Sequence, residues 1–273
     1  METKGIVTAN VANLYRDPSE AVELVSQAIL GMELAIGKGQ DGWFHVQTPD
    51  QYTGWIKASQ FRTYAPWETP YASEARVVEI DSLLAFLYHV PRASTRAPAL
   101  QVTIGTRLEA TDEGDGWLKV VLPDGSARWV QRGDLLVPTA ADGRSQGSVE
   151  AVIATARRFL GLPYLWGGTT PLGIDCSAFV QLAYRLHGVE LRRDSHIQFT
   201  QPDLEVVDRP DLEAGDLVFF GRKEISHVGL CTYGGRFIHA TPYRQPVVQI
   251  SSLDEQHWVT LYRGARRPPR ASL

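Results

Sequence analysis

The chain has 273 residues, 44% of them apolar and 21% charged, with a formal net charge of −4. That length suits about two or three domains with sizeable cores, and the acidic balance offers no basic footprint for nucleic acid. Its two cysteines, Cys176 and Cys231, are too few for a disulfide framework or a structural zinc site.

No segment approaches the roughly 18 apolar residues of a membrane span. The opening from Met1 to Asn10 has no leader pattern, its apolar stretch being broken by Thr8 and Asn10. The expectation is a cytoplasmic enzyme, with an exported protein trimmed of its leader as the alternative.

An internal repeat organises the first half. Residues 41–56, DGWFHVQTPDQYTGWI, align without a gap on residues 115–130, DGWLKVVLPDGSARWV, 74 positions later. Gly31 and Leu34 fall on Gly105 and Leu108, and Trp43 and Trp55 on Trp117 and Trp129. Within each copy short alternating runs are separated by turn signals such as Gly42, Pro49-Asp50 and Gly54, so two small antiparallel barrels are expected. With Asn13-Leu14-Tyr15-Arg16 at the opening and the two Gly-Trp strands, the repeats resemble bacterial SH3-type (SH3b) domains. The second copy departs from that pattern at Leu87-Tyr88-His89-Val90 and at Ala127-Arg128. The four tryptophans are read as barrel core.

Residues 138–148, PTAADGRSQGS, have linker composition. Beyond them the spacing of Val149, Val152, Ile153, Ala156, Phe159 and Leu160 predicts a helix stopped by Gly161. A loop follows at Pro163-Tyr-Leu-Trp-Gly-Gly, then a second helix from Cys176 to His187 ended by Gly188. From Asp216 on, β-prone runs at Leu217–Phe220, His227–Tyr233, Phe237–Ala240, Val247–Ile250 and Val259–Tyr262 predict an antiparallel sheet, and thus an α+β domain. The cationic run from Arg263 to Arg270, interrupted by Pro268 and Pro269, reads as a solvated tail.

Cys176 falls on the first turn of the second helix, where backbone N–H groups and the macrodipole favour a thiolate and draw a cysteine pKa down from about 8.5 towards 4 to 7. A small buried hydrophobe is the other reading of this position. Cys231, inside an apolar strand, is assigned to packing. His227 and His239 fall on neighbouring strands if Gly234-Gly235 makes the hairpin turn. A cysteine with a base and a group to orient that base suffices for acyl transfer; satisfied sheet histidines and metal ligands are the other readings. His45, His89, His187, His196 and His257 have no comparable context.

Taken together, Tyr164-Leu-Trp-Gly-Gly, Asp175-Cys-Ser-Ala-Phe-Val, Gly215-Asp-Leu-Val-Phe-Phe, Ser226-His-Val-Gly and Phe237-Ile-His-Ala resemble the NlpC/P60 family of papain-like cell-wall peptidases. Ala178 and Phe179 stand where the family more often has Gly and Leu. The resemblance implies Cys176 as nucleophile, His227 as general base and then acid, and His239 as the orienting third residue. It also implies substrate-binding roles for Tyr164, Trp166, Asp175, Ser177, Asp194, Ser195 and Ser226, and no metal or organic cofactor. The implied architecture is SH3b domains at 1–66 and 73–138 followed by a papain-like peptidase domain at 148–267.

The implied substrate is a murein peptide cut between D-γ-glutamate and a diamino acid, either meso-diaminopimelate or L-lysine. SH3b modules ahead of such a domain look like the recycling dipeptidyl-peptidases, which take L-Ala-γ-D-Glu from a free N-terminus. In that branch the first barrel narrows the cleft, with Tyr52 or Tyr64 as the lining residue; in exported relatives the barrels bind the wall. Asp194, eighteen residues after Cys176, is the carboxylate expected to meet the free ammonium; a surface charge after a turn at Arg192-Arg193 is its other reading. An exported wall hydrolase, a wall-binding adaptor with a degenerate peptidase domain, and a papain-like acyltransferase or amidase are the competing functions.

Overall fold

The computed structural model describes residues 3–65, 67–73, 76–93, 97–136 and 147–269. It divides into two compact units, Met1–Gly143 and Arg144–Leu273. The linker read at 138–148 lies outside the described residues, apart from Gly147 and Ser148.

In the first unit the alternation of the sequence becomes alternation of burial. In Trp117–Val121 the even-numbered Leu118 and Val120 are fully buried while their neighbours are not. A seven-stranded antiparallel sheet holds the first copy, and a five-stranded sheet with a separate strand pair holds the second. Strands Glu33–Gln40, Trp43–Gln47 and Thr53–Lys57 recur 74 positions on as Arg107–Gly114, Trp117–Val121 and Ala127–Gln131. The turn between the first two is Asp41-Gly42 in one copy and Asp115-Gly116 in the other, all four residues at positive φ, the geometry of the Asp-Gly hairpin.

Two expectations for this unit need correction. Strand pairing does not close into barrels, because the seven-stranded sheet runs from Leu24–Ile29 at one edge to Phe61–Thr63 at the other and these edges do not pair. Nor are all four tryptophans core: Trp55 is buried as expected, but Trp43, Trp117 and Trp129 are half-buried. The core is aliphatic, built from Leu14, Leu34, Val46 and Ile56 in one copy and Leu108, Leu118, Val120 and Val130 in the other. The tryptophans occupy the opposite face of the pleat, where Trp43 meets Tyr15 edge-on at 5.6 Å and Trp117 meets Tyr88 in the same way at 5.5 Å. Tyr64, one candidate for lining the cleft, uses its hydroxyl to accept the Tyr71 N–H at 2.7 Å.

The second unit is an α+β domain. Helix α1, Val149–Arg158, is capped by the Ser148 side chain, and Gly161 beyond its end has positive φ. Helix α2, Cys176–Arg185, buries nine of its ten residues. Helix α3 spans Ser195–Phe199 and helix α4 Gln256–Leu261. The six-stranded antiparallel sheet is ordered Glu205–Val207, Tyr262–Arg267, Leu217–Gly221, Ile225–Cys231, Arg236–Thr241, Val247–Ser252. Helix α2 packs on Ile225–Cys231 and Arg236–Thr241, and α3 also packs on Ile225–Cys231.

The run Val259–Tyr262, expected as a strand, ends α4 and begins the strand Tyr262–Arg267 instead. The cationic run is likewise an internal strand through Arg267, and not a solvated tail. Arg267 Nε lies 2.7 Å from Oδ1 of the fully buried Asp216. The guanidinium of Arg266 sits 3.9 Å over the Phe199 ring, and Gly264 leaves room for that ring beside the strand. Tertiary partners override what charge alone suggests. Among the described residues no helix is long and apolar enough to cross a membrane.

Candidate active site

Asp175 is the N-cap of α2, its carboxylate accepting the Ala178 N–H at 2.9 Å. Cys176 is therefore the first helical residue, as the sequence reading places it. Its thiol is buried, 8% exposed, and burial together with the adjacent Asp175 carboxylate pushes its pKa up to about 12. Hydrogen bonds from the Val228 and Ser177 backbone and the charge of Arg193 pull the other way without prevailing. The expected lowering by the helix terminus is thus outweighed by desolvation, and the resting group is a neutral thiol. Val228 follows His227 on its strand, so the thiol lies against the strand that carries the imidazole.

His227 and His239 come from adjacent strands joined through Gly234-Gly235, both at positive φ, with Leu230 opposite Ile238 and Cys231 opposite Phe237. His227 Nε2 and His239 Nδ1 are 2.7 Å apart, and His239 Nε2 is 3.0 Å from Ser251 Oγ on the next strand. Three strands thus contribute one residue each to a hydrogen-bonded chain. Burial, and secondarily the charge of His257, lowers the His227 pKa to about 3; burial, His227 and His257 hold His239 well below its ordinary value. Both imidazoles rest neutral.

Aromatic rings fix this pair in place. The Trp258 indole stacks on His227 with centroids 5.3 Å apart and meets His239 edge-on at 4.8 Å, so one ring covers both members. Phe220 and Phe237 approach from other sides, and Phe237 in turn needs Gly229, where a Cβ would come within 2.5 Å of its ring. The Ser-His-Val-Gly motif therefore joins a chemical residue to a packing one.

The other expected residues separate into two groups. Tyr164 is half-buried and its pKa is raised by burial and by the Cys176 and Asp175 charges, so its phenol faces the thiol's end of α2. Ser177 donates to Asp175 Oδ1 at 3.1 Å. Asp194 is the N-cap residue of α3 and Ser195, 7% exposed, opens that helix; both follow Arg193, whose fork binds Asp175. Trp166 and Ser226, in contrast, are exposed. Cys231 is 3% exposed within the core, as assigned.

Three residues of this environment escaped the sequence reading. Ser251 and Trp258 lie in segments whose residue types carry no chemical signature. Arg193, read as part of an exposed turn, is 2% exposed and places Nη2 2.6 Å from Asp175 Oδ2.

A thiol at a helix N-terminus lies against a strand whose histidine is hydrogen-bonded to a second histidine, a set of groups of the types that acyl transfer uses. This is the layout of a papain-like peptidase domain. The NlpC/P60 family model matches residues 161–267, and a bacterial dipeptidyl-peptidase Sh3 domain model matches residues 14–61. A gamma-D-glutamyl-L-lysine dipeptidyl-peptidase of Bacillus cereus is 31% identical across 91% of this chain and 76% of its own length. Dipeptidyl-peptidase 6 of Lysinibacillus sphaericus is 31% identical over 94% of both chains. The crystal structure of an NlpC/P60 family protein from Bacillus cereus superimposes with a TM-score of 0.84 at 25% identity, covering 97% of this chain and 99% of that one. The chain belongs to the NlpC/P60 family of peptidases.

Proposed function

We propose that this protein is a cysteine peptidase that hydrolyses the bond between D-γ-glutamate and a diamino acid in free murein peptides beginning with L-Ala. The observation that carries the reading is the His227–His239–Ser251 chain beside the thiol at the start of α2. The names of the full-length relatives support the bond and the dipeptide product. Residues 1–66 and 73–138 are read as two SH3b domains, supported by the elements that recur 74 positions apart and by the matched Tyr-Trp pairs.

In this reading the Cys176 thiol and the His227 imidazole both start neutral. As Sγ attacks the γ-carbonyl carbon of D-glutamate, its proton passes to the His227 nitrogen not engaged by His239, and an S–C bond forms while the carbonyl π pair moves onto oxygen. The Cys176 N–H, at a helix position where no i−4 carbonyl is available, is placed to donate to that oxyanion. Collapse breaks the C–N bond, and the diamino-acid amine leaves with the proton from His227. Water, deprotonated by the same imidazole, then hydrolyses the thioester and releases L-Ala-γ-D-Glu.

Asp194 and Ser195, held beside the start of α2 through Arg193, are the groups assigned to the free N-terminal ammonium. An enzyme requiring that ammonium acts on released wall peptides, as in their recycling, and not on stems still attached to glycan.

The decisive test is mass spectrometry of products from purified protein given L-Ala-γ-D-Glu-L-Lys and its diaminopimelate counterpart, with free and acetylated N-termini, alongside intact sacculi. Release of L-Ala-γ-D-Glu from free peptides, lost in Cys176→Ala, is the expected result. Retained activity in Cys176→Ala refutes the mechanism, and solubilised sacculi refute the restriction to free peptides.

A further inference from the structure

Asp175 joins three separate segments of the catalytic unit. Its Oδ2 accepts the Gly167 N–H at 3.1 Å from the loop that carries Tyr164, and its Oδ1 accepts the Ser177 hydroxyl and the Ala178 N–H of α2. The third segment arrives through Arg193, which donates Nη1 to Oδ1 at 3.1 Å and Nη2 to Oδ2 at 2.6 Å, with a further Nη1 bond to Ser177 Oγ at 3.0 Å. Arginine and carboxylate are both buried, at 2% and 7% exposed. A planar fork on a carboxylate sets orientation as well as distance, which a lysine ammonium cannot do.

The two ends of this pair lie next to the residues of the proposed reaction. Asp175 directly precedes Cys176, and Arg193 directly precedes Asp194 and Ser195. Gln198 strengthens the junction, its Nε2 lying 3.1 Å from Ser177 O and 2.7 Å from Arg192 O. The pair is also electrical. An unbalanced Asp175 carboxylate one residue from Sγ would oppose every step that puts negative charge on sulfur, and the guanidinium offsets it.

We propose that Arg193 is a positioning residue of this enzyme, locking the segment that binds the substrate's amine to the cap of the nucleophile's helix and balancing the Asp175 charge beside Cys176. Substrate register and thiol reactivity then depend on one side chain bound to Asp175 and Ser177. The proposal rests on the functional reading above only for the identity of the substrate; the effect on the thiol stands apart from it.

The test compares Arg193→Lys and Arg193→Gln with wild type by two readouts. The first is the rate of Cys176 alkylation by iodoacetamide against pH, followed by peptide mass spectrometry. The second is kcat and KM on the free-amine tripeptide. Arg193→Gln removes charge and fork, so its alkylation rate at fixed pH should fall about tenfold, equivalent to about one pKa unit, with KM rising about tenfold or more. Arg193→Lys keeps the charge but not the fork, so alkylation should stay within about twofold of wild type while KM still rises.

A purely structural arginine would lower the melting temperature yet leave the pH profile and KM of the folded variants at wild-type values, and that result overturns the proposal. Where Arg193→Gln fails to fold, the split between alkylation and KM in Arg193→Lys decides the matter alone: an unchanged KM refutes. Wild-type protein inert towards the tripeptide would sink the functional reading by itself, and the alkylation comparison between the variants would still decide the charge balance.

Discussion

Ser251 Oγ lies 3.0 Å from Nε2 of His239, and this contact bears on which proton each histidine carries. For His227 to take a proton from the thiol, its free nitrogen must present a lone pair, so its Nε2 must carry hydrogen and donate to His239 Nδ1. His239 then carries its own hydrogen on Nε2, and the serine hydroxyl accepts it. Both rings being held neutral, the serine stabilises the one tautomer of the pair that is competent as a base. Replacing Ser251 with alanine should therefore lower kcat about 3- to 10-fold, the equivalent of a net hydrogen bond of about 0.5 to 1.5 kcal/mol, with little change in KM. Steady-state kinetics on the tripeptide check this, and an unchanged kcat would remove Ser251 from the relay.

The same two histidines make an acid-stability prediction. Their native pKa values are depressed, His227 to about 3 against an ordinary 6.5, so on acidification the unfolded chain takes up protons first. Their contribution is complete above about pH 6.5 and is lost as pH falls through the native values. Each neutral histidine should impose a slope that approaches about 1.4 kcal/mol per pH unit from about one unit below its unfolded pKa. Urea titrations of the catalytic unit's unfolding at pH 7, 6 and 5 should show this loss, and His239→Gln should show a shallower one. A wild-type midpoint that stays constant from pH 7 to 5 contradicts neutral histidines.

Asp194 offers a test of substrate recognition independent of the thiol. Asp194→Ala should cost about 1.5 to 3 kcal/mol in kcat/KM on the free-amine tripeptide, the size of a lost hydrogen bond to a charged group. It should cost far less on the N-acetylated form, which offers no ammonium. Equal losses on both peptides, measured by product release, would remove Asp194 from ammonium recognition.

The residues of the candidate site were legible in the sequence because their types are rare in their settings: a cysteine opening an apolar helix, and two histidines on either side of a Gly-Gly turn. Periodicity also marked α1 and α2 within a few residues of their observed ends. What stayed hidden depends on contacts between distant segments. Arg193 looks like a surface charge until Asp175 is seen 2.6 Å away, and Trp258 looks like any apolar residue until its ring covers the histidine pair. The thiol's protonation is hidden for the same reason. A helix terminus can be read from spacing, whereas the desolvation that outweighs it depends on everything packed around Cys176.

The cationic strand Tyr262–Arg267 shows how much such a contact can matter. Asp216 is 0% exposed at the start of Leu217–Gly221 and receives Arg267 Nε at 2.7 Å and Nη2 at 2.8 Å, besides the Glu213 N–H at 2.8 Å. A buried pair of this kind adds little over an apolar replacement of both partners, but removing one partner strands the other's charge. Arg267→Met should thus destabilise the catalytic unit by about 3 to 5 kcal/mol, and adding Asp216→Asn should recover part of the loss, because a neutral amide is cheaper to bury. Thermal unfolding of the single and double variants reads both effects. The strand Leu217–Gly221 lies beside the one that carries His227, so activity should fall with the folded fraction, not ahead of it. A single variant as stable as wild type would mean that Asp216 is neutralised by other means and that the tail's pairing is incidental.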